Sequence, residues 1–222
     1  MTANLPQPAG IIPTGVLYNI PMTLITLRYG NTNTFLIRGT GGSLLVDTDF
    51  AGTMPLFYKA IKAVGVCVPD IGYVMATHYH PDHMGLVSEL VEQGVKLVVM
   101  ESQVPYVGYS DPIFSRAGLS VAPISVSSAV TLSFDESRTF LSSLGISGEI
   151  ITTPSHSPDS VSVMLDSGEA IVGDLEPYSY LAGYSSNTAL ASDWSRVLSY
   201  SPSVIYHAHA NAVLMTGGGN EG

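Results

Sequence analysis

The stretch THYHPDHMG, Thr77 to Gly85, decides how this chain is read. His78, His80, Asp82 and His83 stand almost side by side in it, between an apolar β-like run, Ile71 to Ala76, and a helix-like run, Met84 to Gln93. A strand that ends in a loop and then a helix is where α/β proteins place chemistry. In extended backbone, residues two apart point the same way, so His78 and His80 can reach one ion together. Asp82 and His83 lie past the bend and can face a neighbouring ion. Imidazoles with a carboxylate suit zinc, and also iron or manganese. A lone histidine is an ordinary core or surface residue, but these are not alone. His156, His207 and His209 each follow an apolar, strand-like run, and so does Asp174.

Working outward, the acidic station LLVDTD (Leu44 to Asp49) precedes THYHPDH. TPSHSPDS (Thr153 to Ser160), IVGD (Ile171 to Asp174) and IYHAHA (Ile205 to Ala210) follow it. In this order the motifs resemble those of the metallo-β-lactamase-fold hydrolase superfamily, from Asp47 to His209. The resemblance implies a four-layer αββα sandwich of two mixed β-sheets, whereas composition and periodicity alone support α/β. It also implies two divalent metal ions, most readily zinc, with manganese or iron as alternatives. His78, His80 and His156 would hold the first ion, Asp82, His83 and His209 the second, and Asp174 would bridge them. His209 takes the place of the family's last ligand. His207 stands where proline is usual and reads as a packed or solvent-facing imidazole. Ser155 and Asp159 depart from the family's usual glycines, and Asp159 is expected to serve structure. Asp47 is a turn residue or, by resemblance, an acid that orients a ligand from behind, with Asp49 sharing or replacing that role.

The chemistry so implied is hydrolysis of a small ester, thioester or lactone by a metal-bridging hydroxide. Asp174 and Asp82 are its catalytic carboxylates, the second as a candidate proton donor to the leaving group. The bridging acid points away from true metallo-β-lactamases and towards the branch of glyoxalase II, lactonases and thioesterases. Few residues follow His209, so glutathione thioesters are not expected. His80 argues against the flavodiiron branch, which carries Glu there. Two rivals stay open: a mononuclear iron persulfide dioxygenase using His78, His156 and Asp174, and a non-catalytic binding protein on the same scaffold.

The bulk numbers bound the rest. At 222 residues, 45% hydrophobic and 12% charged, the chain is long enough for a substantial core and is not disordered in composition. Its net charge of −10 repels polyanions, so a small-molecule substrate is expected and nucleic acid is not. Prolines and glycines interrupt the apolar runs, so no membrane span or signal peptide is expected and the protein reads as cytoplasmic. Cys67, the single cysteine, lies in an apolar stretch and reads as a small core residue. Oligomeric state is left open.

Residues 1–15 read as a Pro- and Gly-rich extension, 16–214 as a single domain and 215–222 as a flexible tail. Strands are expected at Met22–Tyr29, Thr34–Arg38, Ser43–Val46, Val95–Met100 and Gly148–Thr153, in the hairpin Val161–Leu165 with Ala170–Val172, and at Ser203–Tyr206. Ser125–Phe134 also has β character. Helices are expected at Pro55–Val64, Met84–Gln93, Ser137–Leu144 and Ser192–Ser199. Gln103–Pro123 and Leu175–Thr188 read as irregular, and their tyrosines (Tyr106, Tyr109, Tyr178, Tyr180, Tyr184) join Tyr79 as candidates to line a pocket.

Overall fold

The computed structural model describes residues 22–183, 186–216 and 220–221. The extension predicted over residues 1–15, and Tyr184, lie outside them. The first half builds one six-stranded sheet from β1 (Thr23–Arg28), β2 (Asn33–Arg38), β3 (Ser43–Val46), β4 (Tyr73–Met75), β5 (Lys96–Met100) and β6 (Val130–Leu132), adjacent in that order. β1 to β3 form an antiparallel meander, and β3 to β6 run parallel. The second half builds its counterpart from β7 (Gly148–Thr152), β8 (Val161–Leu165), β9 (Glu169–Gly173), β10 (Val204–His207), β11 (Val213–Thr216) and β12 (Asn220–Glu221). Here β9 and β10 are parallel and the other pairs antiparallel.

The period-two alternation of the strands sorts the apolar residues into layers. Phe35, Ile37, Leu44, Val46, Met75 and Val98 point inward and meet Ile150, Val161, Val163 and Ile171 of the other sheet. Their neighbours Leu36, Leu45, Val74, Leu97 and Val99 point outward, under helices α1 (Met54–Ala63) and α3 (Val87–Glu92). The second sheet's outer face, with Ile151, Met164, Ala170, Val172 and Ile205, is covered by Leu190, Trp194 and Val197 of α6 (Thr188–Leu198). The result is the αββα sandwich of two mixed sheets.

Several expected elements differ in detail. The helix expected over Met84–Gln93 is two pieces, α2 (Pro81–Met84) and α3, broken at Gly85 and Leu86. At Gly85 the backbone passes so close to Asp49–Ala51 that a Cβ would collide with it. The stretch read as irregular, Gln103–Pro123, carries a 3-10 turn at Glu101–Tyr106 and α4 (Asp111–Arg116); its prolines and glycines interrupt rather than prevent helix. Most of Ser125–Phe134 is not strand, and only β6 pairs. α5 (Phe134–Ser143) starts earlier than expected because Ser133 and Glu136 form a capping box. α6 likewise starts earlier, where Asn187 Oδ1 accepts from Leu190 N at 3.0 Å. Within the predicted tail, Asn220–Glu221 pair with β11, while 217–219 and 222 lie outside the described residues.

Cys67 is exposed, contrary to its expected place in the core. Val66 and Val68 take the buried positions on either side, so alternation turns Cys67 outward beside Asp70.

Candidate metal centre

The clustered residues all leave the C-terminal ends of strands along one edge of the sandwich. His78, His80, Asp82 and His83 follow β4, His156 follows β7, Asp174 ends β9, and His209 follows β10. Tertiary packing gathers them into three overlapping groups able to hold a cation: His78, His80 and His156; His78, His83 and Asp174; Asp82, His83 and His209.

Asp174 is the meeting point. Its Oδ2 lies 3.3 Å from His83 Nε2, 3.6 Å from His156 Nε2 and 3.9 Å from His78 Nε2, and its Oδ1 lies 3.3 Å from His209 Nε2. His80 Nδ1 is 3.0 Å from His78 Nε2 and 3.2 Å from His156 Nε2. Asp82 Oδ2 is 3.3 Å from His209 Nε2. Yet His83 Nε2 and Asp174 Oδ1, both buried, make no hydrogen bond. A zinc ion with ligands at about 2.0–2.1 Å places them about 3.3 Å from one another at the corners of a tetrahedron. The observed separations bracket that edge, and orphaned buried donors aimed at a common point are what a cation would satisfy. The donor set therefore fits metal.

The imidazoles are aimed from behind. His83 Nδ1 meets Asp47 Oδ2 at 3.0 Å, His78 Nδ1 meets Thr77 Oγ1 at 3.2 Å, and His209 Nδ1 meets the Asn31 carbonyl at 3.0 Å. Each contact leaves Nε2 facing the cluster, the arrangement that fixes ligand tautomer and orientation. Asp47 is fully buried, has φ 61° and also accepts from Thr77 N (2.6 Å) and Thr77 Oγ1 (2.9 Å). It therefore stands behind the cluster, as the resemblance implied. Asp49 does not share that role. It accepts from Asn31 N (3.1 Å) and Phe50 N (2.7 Å), holding the turn whose carbonyl meets His209. Asp159 is structural: its carboxylate accepts from Tyr79 N (2.7 Å) and Ser157 Oγ (2.7 Å), tying the His156 loop to the His78–His83 loop.

His207 is buried in β10, its ring 6.4 Å from that of Trp194, and is in none of the three groups; His209 is. Tyr79 is not at the surface of the site. It is buried against the outer core of the first sheet, because the loop turns every second side chain inward while His78 and His80 face the cluster. Tyr109 is exposed, with its ring 5.4 Å from that of His80 at the mouth of the site. Tyr106 packs against the core under that loop, and Tyr178 stacks edge-on against Trp194 at 5.5 Å.

Three positioning residues carry no motif and escape sequence reading. Buried Gln103 donates from Nε2 to the carbonyls of Ala76, Thr77 and Asp159 (3.0, 3.2 and 3.1 Å). Asn33 donates from Nδ2 to the carbonyls of His207 (2.9 Å) and Ala210 (2.7 Å). Asp193 accepts from Ser155 N at 2.7 Å, fixing the backbone beside His156. Asn33, opening a strand directly after a turn, was the one weak signal in the sequence.

The electrostatics sort the histidines. Burial, with cationic neighbours adding to it, pushes His78 far below the usual histidine range, and burial lowers His156 too, so both are neutral. Burial also opposes charge on His83, but Asp47 and Asp174 outweigh it and push it up to about 10. Asp174 and Asp82 push His209 up to about 11. Burial raises Asp174, but His209 and His83 overcome it and hold the carboxyl well below its usual range. His209 likewise lowers Asp82. In the metal-free protein both carboxylates are ionised, which suits them as ligands and suits Asp82 poorly as a proton donor.

A His/Asp cluster suited to metal at the edge of an αββα sandwich defines a class. The chain belongs to the metallo-beta-lactamase superfamily, whose sequence profile matches residues 27–209. Curated relatives match a shorter piece. The diflavin flavoprotein A 3 of Nostoc sp. (strain PCC 7120) is 36% identical over 79 residues, 35% of this chain. The diflavin flavoprotein A 2 of Synechocystis sp. (strain PCC 6803) is 33% identical over 79 residues. The match spans 13% of the length of each of these relatives. Among solved structures, a metallo-beta-lactamase family protein of Thermus thermophilus, TTHA1429, superposes with a TM-score of 0.64 at 18% identity, covering 90% of this chain and 76% of that one. TTHA1623, solved in a di-iron-bound form, gives 0.64 at 22% identity, covering 86% and 94%. The chemotaxis sensor ODP, solved as a peroxy di-iron species, gives 0.64 at 15% identity, covering 90% and 88%. At these identities the structural likenesses speak for the fold. Among the described residues no helix is long and apolar enough to cross a membrane.

Proposed function

We propose that this chain is a dinuclear metal-dependent hydrolase of a small ester, thioester or lactone. The observation that carries the reading is the donor set: three overlapping cation-sized groups, the middle one containing Asp174, whose carboxylate also lies 3.6 Å from His156 and 3.3 Å from His209 in the outer two. His78, His80 and His156 would hold one ion, Asp82, His83 and His209 the other, with Asp174 between. Such a pair of ions supplies Lewis acidity and a water acidic enough to react near neutral pH. The protein's own part is positional. Asp47, Thr77 and Asn31 keep three imidazoles turned inward. Asp174 would offset the repulsion between two bound cations. A cleft lined by Leu175, Pro177 and Ala210 opens beside His156 and Asp174, where the body of a substrate can rest. The net reaction adds water across the acyl–oxygen or acyl–sulfur bond, releasing a carboxylate and an alcohol or thiol.

A second reading has its own support. The curated relatives are named diflavin flavoproteins, and two structural neighbours were solved with two irons. That reading is a di-iron centre for oxygen chemistry on the same residues.

Metal analysis of protein purified without chelator separates the two. About two zinc or manganese ions per chain, with cleavage of a thioester or lactone panel, supports the hydrolase. About two irons per chain, with oxygen consumption and no hydrolysis, supports the second reading. His80→Ala and Asp174→Ala should each lower metal content and abolish turnover while the circular dichroism spectrum stays native; full activity in both would sink the site assignment.

A further inference from the structure

The cleft beside the cluster has a chemical character of its own. It encloses about 240 Å³ and is walled by Leu175, Pro177 and Ala210, with Glu176 as its only charged lining residue outside the metal cluster. Among the described residues, no lysine or arginine lines it. The two arginines bonded to nearby loops are already engaged: Arg28 Nη1 donates to Asn211 Oδ1 at 2.9 Å, and Arg196 Nη1 donates to Asp193 Oδ1 and the Thr152 carbonyl at 3.0 and 2.6 Å. His156, His207 and His209 also line the cleft, but with metal loaded His156 and His209 would be engaged as ligands, so an anion resting on the apolar wall meets no lysine or arginine, loses water without return, and is repelled by the neighbouring carboxylate. The positive charge of bound metals acts at the reacting end of a substrate, not along this wall.

We propose that the cleft seats the non-reacting end of the substrate and selects an apolar group that is uncharged or cationic, rejecting a carboxylate or phosphate tail. The inference rests on the hydrolase reading and narrows its substrate class. Glu176 is the specificity-determining residue.

The test uses the full-length, metal-loaded chain and three thioesters of equal length whose acyl tails end in methyl, ammonium or carboxylate. The methyl and ammonium tails should exceed the carboxylate in kcat/KM by at least about tenfold, with the difference carried in KM. Glu176→Lys should bring the carboxylate tail level with or above the ammonium. Equal values for all three tails, or a preference for carboxylate, would overturn the inference and leave the hydrolase reading standing. Cleavage of none of them would count against the hydrolase reading instead. Charge selection is then read from binding, by the shifts that benzylammonium and benzenesulfonate induce in the backbone amides of Gly173 and Ala210. Stronger shifts from the cation, reversed in Glu176→Lys, uphold the selection; equal or stronger shifts from the sulfonate reject it.

Discussion

At the scale of single residues, two imidazoles of the cluster hold protons that a metal must displace. His83 and His209, raised to about 10 and about 11, enter the metal-free site as imidazolium ions at neutral pH. Metal loading should therefore release protons, and affinity should rise with pH towards those values. Titration calorimetry in buffers of different ionisation enthalpy measures the release directly; buffer-independent heats would refute it. In the absence of metal the sign is opposite for stability. The raised values stabilise the fold fully below the ordinary histidine pKa, and that contribution is lost as pH climbs through about 10 to 11. Asp47 sharpens the same point. Asp47→Asn keeps a residue that tolerates φ 61° but removes the carboxylate behind His83. Metal affinity should fall by about 10–100-fold with little change in fold, a loss that competition against a chromogenic chelator reads out. Unchanged affinity would show that packing alone orients the His83 ring.

At the scale of elements, short polar links hold the strand ends in register with one another. Asn33 N donates to the Ala208 carbonyl at 2.7 Å, and its side chain holds the next turn, so the start of β2 clamps the end of β10. Asn33→Ala leaves two carbonyls without their donor and should cost about 1–3 kcal/mol in chemical denaturation. It should also weaken the second metal preferentially, because His209 lies inside the clamped turn. Gly173 works by lacking a side chain. Its φ is 57°, and a Cβ there would sit 2.5 Å from Thr77 Oγ1, which is how β9 brings Asp174 up to the His78 loop. These links explain what could and could not be read in advance. His78, His80, Asp82 and His83 were legible because one loop carries all four. Gln103, Asn33 and Asp193 were not, because each bonds to backbone far along the chain and leaves no periodicity or spacing behind.

At the scale of the whole molecule, the two sheets divide the candidate donors four to three. The first brings His78, His80, Asp82 and His83, and the second brings His156, Asp174 and His209. Apolar packing between the sheets, with Phe35, Leu44 and Val98 against Val163 and Ile171, holds the two sets together before any ion binds. A cation bound across that seam staples it. At a hundredfold excess over Kd, one ion stabilises by about 2.7 kcal/mol. For a chain of this size that corresponds to about 5–10 °C in Tm. Scanning calorimetry with zinc and with chelator measures the shift, and Asp174→Ala should abolish most of it. A Tm indifferent to metal would mean that no ion binds the folded chain in preference to the unfolded one, and would count against the metal site.

The sequence by itself determined most of the strands, their alternation and the candidate donors, because side-chain period and residue chemistry are local properties. The motif order also carried the family and the two-sheet sandwich. Only the tertiary structure placed His209 and not His207 in the cluster, separated the parts of Asp47 and Asp49, buried Tyr79 and exposed Cys67. Each of those turns on which way a side chain faces once two sheets close on each other. For the last histidines that direction depends on contacts between residues more than a hundred positions apart, Asn33 with His207 and His209 with Asn31, which no local pattern encodes.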